Sequence, residues 1–310
     1  MYASLGLFPQ ARTLLEEALR SRERLYGSSD TLVAETLVQL GGVAINREEF
    51  GEAERHLERA LRIVDAELEP PHPRIAEAVS ELGVLRMRER KLAAAESLFL
   101  RSISITDRLP QGAVPRPGRD LMLLGAVYLS LERHDAAEPI LRRALTIQER
   151  TLGPDHPAVA ATSGNLGIVY WTRKDYRQAL PVYQKARQIL EATYPREHPS
   201  VAQINNNIAE TYWKLGRHAE AEVLFRKVLD IKERTMTAGA PGIAVTLHGL
   251  AGVLRDQGRH AEAEPYYVRA LEIRRRAHGP DDLSVADTRR DYAAMLRASG
   301  RVAEANAMEP

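Results

Sequence analysis

The sequence predicts an all-α protein built as an array of antiparallel helix pairs, and three observations carry that prediction. Ala11, Ala53, Ala95, Ala137, Ala179, Ala221, Ala263 and Ala305 recur at a constant spacing of 42 residues. Within each interval apolar residues return at three- and four-residue steps, pause, and resume, the pattern of two amphipathic helices. Abundant Ala, Leu, Glu and Arg, with aromatics at only 5%, also favour helix.

The first helix of a unit, helix A, opens at a proline in five units. His72-Pro73, His156-Pro157 and His198-Pro199 share one register with Pro115 and Pro241. Proline suits the first helical turn, where its missing N–H would be unsatisfied anyway. Asp155 and His156 stand where a polar side chain can cap orphan amides, so Asp-His-Pro reads as helix-start punctuation rather than a catalytic or metal site. Further along helix A, Gly41, Gly83, Gly125 and Gly167, then Ala209, Ala251 and Ala293, share a register. Helix B answers with Ala18, Ala60, Ser102, Ala144, Ala186, Val228 and Ala270. The expectation is that small residues face one another and let the two backbones approach, so that enlarging one costs about 1–3 kcal/mol. Gly6, Gly216, Gly258 and Gly300 mark the turn between the helices in some units. The junction Leu109–Gly118 keeps the register but loses most of the pattern, which predicts a shortened helix A and a flexible joint there.

The expected organisation is a single array over 1–310. A partial unit spans 1–29, full units span about 30–71, 72–113, 114–155, 156–197, 198–239 and 240–281, and a partial unit spans 282–310. Tyr2 aligns with Tyr128, Tyr170 and Tyr212 near the end of helix A, so the first unit lacks most of that helix. The expectation is a segment, or a truncated relative, of a longer protein with a missing N-terminal region.

Asn165–Tyr170 (NLGIVY), followed by Ala179, Tyr183 and Ala186, resembles the tetratricopeptide signature. The unit is longer than the usual ~34 residues. With junctions such as LGPDHPAVA, it is similar to the repeats of kinesin light chains and their bacterial relatives. Ala144–Tyr170 and Ala270–Leu296 carry the likeness most strongly, and it covers essentially the whole chain. The resemblance implies a right-handed superhelical solenoid. No heptad-rich segment of the kind that joins a kinesin light chain to its motor chain is present, so the chain is not read as a kinesin subunit. The excess of Arg over Lys suggests a GC-rich bacterial genome.

On helix A the helical period sets one packed face and an opposite face. In tetratricopeptide arrays, by the resemblance, that opposite face lines a concave groove. Its candidate binding residues are Asn165, Trp171, Asn206, Asn207, Trp213, Lys214, His248, Arg255, Arg290 and Arg297. Trp171 and Trp213 occupy the same position in consecutive units and are expected side by side, anchoring a hydrophobic residue. Asparagine amides can hold an extended backbone through paired donor and acceptor groups, and Asn165 and Asn207 match asparagines that do so in related arrays. Lys214, Arg255, Arg290 and Arg297 are expected to attract acidic flanks. Glu35, Glu77 and Glu81 lie on the same face of earlier units, which would grade the groove from acidic to basic. The bland alternatives are tryptophans packed under a neighbouring helix and charges that form a solvated surface.

The expected function is therefore a non-enzymatic interaction scaffold that binds an extended peptide or partner tail, with acidic and aromatic residues. Two alternatives stand beside it: a regulatory or sensor region of a larger signalling protein, and a scaffold self-associating through its incomplete terminal repeats. With Lys+Arg 43 against Asp+Glu 42, no overall field attracts nucleic acid or an anionic membrane. No apolar run approaches the ~20 residues of a membrane span, and the start has no basic-then-apolar signal peptide. The chain has no cysteine, hence no thiolate metal site, which fits a cytoplasmic location. There is no Gly-rich phosphate loop, HExxH or Gly-x-Ser-x-Gly elbow, so no catalytic residue, cofactor or metal is expected.

Overall fold

The computed structural model describes residues 8–110, 113, 116 and 118–308, and among these fifteen α-helices follow one another with no β-strand. They fall into two compact bodies, Met1–Pro154 and Asp155–Pro310. The first holds α1 (Phe8–Tyr26), α2 (Thr31–Asn46), α3 (Phe50–Glu67), α4 (Pro73–Arg88), α5 (Leu92–Thr106), α6 (Arg119–Ser130) and α7 (His134–Leu152). The second holds α8 (Pro157–Thr172), α9 (Tyr176–Thr193), α10 (Pro199–Lys214), α11 (His218–Thr235), α12 (Pro241–Asp256), α13 (His260–His278), α14 (Leu283–Ala298) and α15 (Val302–Met308). Even-numbered helices are the A helices and odd-numbered ones the B helices. Tyr2, Gly6, Pro115 and most of the stretch 111–117 lie outside the described residues; α6, which follows, is 12 residues long against 16 for α4 and α8.

The histidines of the His-Pro pairs are caps. His72, His156 and His198 each accept, through Nδ1, the backbone N–H two residues on, at 3.1, 3.1 and 3.2 Å. Asp30 and Asp282 do the same in their units at 2.7 and 2.8 Å. Each cap satisfies one of the amides that a helix N-terminus leaves without an internal partner.

Among the described residues every A-to-B turn places one residue in the left-handed region. Gly216, Gly258 and Gly300 do this without a Cβ penalty, but Glu48, Arg90, Glu132 and Lys174 adopt φ of 61°, 65°, 57° and 60°. An L-residue pays roughly 1 kcal/mol or more there. Lys174→Gly is accordingly expected to raise stability by about 1 kcal/mol in urea unfolding.

The small residues of helix A do not face alanines, as the sequence suggests. They form sockets for large side chains of helix B. A Cβ added at Gly41, Gly125 or Gly167 would stand 2.5, 2.4 and 2.3 Å from Leu57, Leu141 and Tyr183. The alanines of helix B are instead buried within the same cores. The reason is geometric: a helix pair approaches closely only where one partner supplies a notch and the other a knob. Each body has its own apolar core, around Leu37, Leu57, Ile75 and Leu85 in the first and Phe225, Leu250, Tyr267 and Leu296 in the second.

Candidate functional site

In the second body a cavity of about 630 Å³ lies between α8 and α10, with Leu190 of α9, residues of α11 and Gly242 of α12 completing its lining. Three of the α8 residues that line it are small: Ala160, Ala161 and Gly164. A Cβ built on Gly164 meets nothing within 4 Å, so this glycine leaves space rather than making a close contact. Asn165 and Asn207, one repeat apart, line the cavity with Ile168 and Gln203. Gln203 Nε2 donates to Asn207 Oδ1 at 2.9 Å, a bond that uses the Asn207 carbonyl oxygen and none of its amide protons.

The other candidate residues are placed differently. Trp213 is 9% exposed and packs beneath α12, where a Cβ on Gly252 would stand 2.3 Å from its ring. Its Nε1 donates to Asp256 Oδ2 at 2.6 Å, while Lys214 Nζ lies 4.2 Å over its ring. Trp171 is half-buried, meets Tyr176 edge-on at 6.0 Å, and its Nε1 is buried without a hydrogen-bond partner. The register explains the contrast. Residues equivalent to Gly252 and Asp256 are Glu210 and Lys214, so the unit after Trp171 offers neither slot nor acceptor. The two tryptophans therefore do not form an exposed pair.

Asn206 is 1% exposed and fully committed, its Nδ2 donating to Glu210 at 2.9 Å and its Oδ1 accepting from Thr246 at 2.8 Å. His248 Nε2 and Arg255 both reach Asp291, at 3.2 and 3.5 Å, and Arg255 also pairs with Asp256 at 2.9 Å. Burial works against the charge on Asp291, but His248 and Arg255 outweigh it and hold its carboxyl below the usual range. Arg290 is exposed and pairs with Asp287 at 2.7 Å, and Arg297 is exposed on α14 and also engaged with a partner. In α10, positions such as Asn206 and Trp213 thus turn toward the next A helix instead of the groove. Helix A has two packed flanks, its own helix B and the following repeat, and a helical-face argument sees only the first.

In the first body the acids expected on the same face are likewise satisfied internally. Glu81 is bonded by Arg119 at 2.9 Å and Arg116 at 3.2 Å, Glu77 by Arg116 at 3.5 Å, and Glu35 by Arg74 at 3.4 Å. Burial raises the Glu77 carboxyl above the ordinary range.

Sequence reasoning missed a buried polar chain. Lys232 of α11 is 5% exposed and its Nζ donates to Gly242 O and Thr246 Oγ1, both at 2.9 Å. Thr246 leads through Asn206 to Glu210. Burial lowers the Lys232 ammonium, with Glu210 pulling the other way, and burial raises the Glu210 carboxyl against the Asn206 hydrogen bond. One signal would have found it. Residues 14 apart match in polarity: Arg22 with Thr36 and Arg274 with Thr288 repeat the Lys232–Thr246 bond, whereas Val64/Ala78 and Leu190/Ile204 are apolar in both places.

A group whose folded pKa is raised stabilises the fold fully below its unfolded value, here 4.5, and loses that contribution as pH rises through the folded value. Glu210→Gln cannot titrate. The stability of the variant relative to wild type should therefore grow as pH rises above 4.5, which chemical unfolding across a pH series checks.

The tetratricopeptide-repeat family profile matches residues 1–64, 32–108, 120–192, 179–234 and 242–309. The chain belongs to the tetratricopeptide repeat family. Solved structures with the same fold include BtubC (BKLC) from P. vanneervenii, 18% identical with a TM-score of 0.62, covering 73% of this chain and 91% of that one. A putative kinesin light chain from Podosopora anserina is 23% identical with a TM-score of 0.53, covering 63% and 93%. The apo form of the quorum sensor NprR from B. thuringiensis is 13% identical with a TM-score of 0.66, covering 99% and 96%. No curated protein sequence matches the chain. Among the described residues no helix is long and apolar enough to cross a membrane.

Proposed function

We propose that the chain is a non-enzymatic interaction scaffold that holds an extended peptide, or a partner's tail, in the cavity between α8 and α10. The single observation that carries this reading is the open space over Gly164, flanked by the amides of Asn165 and Asn207. A volume of about 630 Å³ accommodates a short stretch of extended chain, and its mainly apolar walls with a few convergent amides suit side-chain burial plus backbone pairing. Tetratricopeptide arrays are generally protein-binding scaffolds rather than catalysts, and the likeness in fold to the quorum sensor NprR is consistent with a signalling context.

The test is binding of peptides selected from a positional-scanning library of N-acetylated, C-amidated nonapeptides. A Cβ at residue 164 meets nothing within 4 Å, so Gly164→Leu should place its side chain in the open space with folding retained while selection collapses. Asn165→Ala and Asn207→Ala should each weaken the selected peptides roughly tenfold, the value of two lost hydrogen bonds. Selection unchanged by Gly164→Leu would sink the reading.

A further inference from the structure

Three cations occupy one register of helix B and reach across to the following helix A in the same way. Arg22, Lys232 and Arg274 each donate to a carbonyl and to the threonine four residues beyond it: Leu32 O and Thr36, Gly242 O and Thr246, Ser284 O and Thr288. The residue before that threonine differs. It is Glu35 beside Arg22, at 4.0 Å, and Asp287 beside Arg274, close enough to favour the charge. In the unit of Lys232 the equivalent residue is Val245, 38% exposed. Both bonds made by Lys232 go to neutral acceptors, and an ammonium has a third N–H to give. Among the described residues only Glu210, reached through Thr246 and Asn206, favours its charge. Lys232 and Gly242, the carbonyl it holds, both border the cavity between α8 and α10.

We infer that Lys232 is an incomplete ion pair whose carboxylate is supplied by the ligand, so that the bound peptide carries an acidic side chain which enters beside Val245 and meets the Lys232 ammonium. This rests on the peptide reading above and adds the chemistry of one recognised residue. A buried cation in a mostly apolar cavity pays a desolvation cost that a matching anion recovers. The same cavity offers a neutral residue no such return. The acid-recognising group is thus a buried lysine of helix B, whereas Arg255 and Arg290 on the A helices already have their own carboxylates.

The chain itself supplies two test variants. Val245→Glu builds in the carboxylate found at Glu35 and Asp287, and Lys232→Leu with Thr246→Ile copies the apolar pair Leu190/Ile204. Both should fold. In the nonapeptide library, wild type should select Asp or Glu at one position, with a preference over Gln or Asn of about tenfold or more, as charge-assisted pairing gives. Both variants should lose that preference while still binding the remaining apolar positions. A parallel library with free C-termini separates an acidic side chain from a terminal carboxylate; acid selection that moves wholly to the terminus overturns the side-chain assignment. Peptide selection with no acidic preference would overturn the role of Lys232 and leave the groove reading standing. Absence of any selection would overturn both. An acidic preference that survives in Val245→Glu would also contradict the proposal.

Discussion

Replacing Trp213 by alanine is expected to cost about 3–5 kcal/mol of folding stability, the range for deleting a buried aromatic ring. The ring fills a slot that exists only because residue 252 is glycine, and its indole N–H satisfies Asp256. Removing it leaves a cavity between α10 and α12 and takes the indole donor from Asp256 Oδ2, leaving that carboxylate its bond from Arg255, so two losses add. Trp171→Ala should cost no more than about 2 kcal/mol, since that ring is half-buried and its Nε1 has no hydrogen bond to lose. Urea unfolding of the two single variants distinguishes these outcomes. Equal small losses would mean that Trp213 is not structural. The consequence for binding experiments is direct: a double tryptophan variant confounds unfolding with loss of recognition, and cavity-lining variants do not.

The second large effect compares one substitution at two places on α8. Gly167→Leu should cost about 3 kcal/mol, the upper end for overpacking a core. A Cβ at residue 167 would stand 2.3 Å from the Tyr183 ring, which is itself 2% exposed and cannot swing aside. Gly164→Leu, three residues earlier, meets open space within 4 Å and exchanges a poor helix former for a good one, a gain of up to about 1 kcal/mol. Thermal unfolding should therefore move in opposite directions for the two variants. If both destabilise alike, the space over Gly164 is closed in solution and the proposed site is absent.

The repeat was legible in the sequence because each unit must present the same faces to its neighbours, and that requirement imposes a strict period on Ala11, Ala53 and their successors. The helix starts were legible too, since Pro157 and His156 carry their own stereochemical reasons. What lay opposite the small residues was not. Periodicity says that Gly167 is packed, but only the fold shows that its partner is Tyr183 rather than an alanine. The candidate site divides along the same line. Asn165 and Asn207 line the cavity, while Asn206 and Trp213 turn into the contact with α12. The angle of a residue around its own helix does not report the flank taken by the next repeat. Lys232 escaped notice because it sits on helix B. Its signal is a matched polarity 14 residues apart, which appears only when the units are compared with one another.

On the function proposed here, the cavity between α8 and α10 receives an extended peptide. This is tested most directly by following the side-chain amide resonances of Asn165, Gln203 and Asn207 as the best nonapeptide from the library is added. Saturable shifts confined to these amides and the backbone around Gly164, abolished in Gly164→Leu, are the expected result. Shifts that leave these three amides unmoved and cluster on the B helices instead would contradict it.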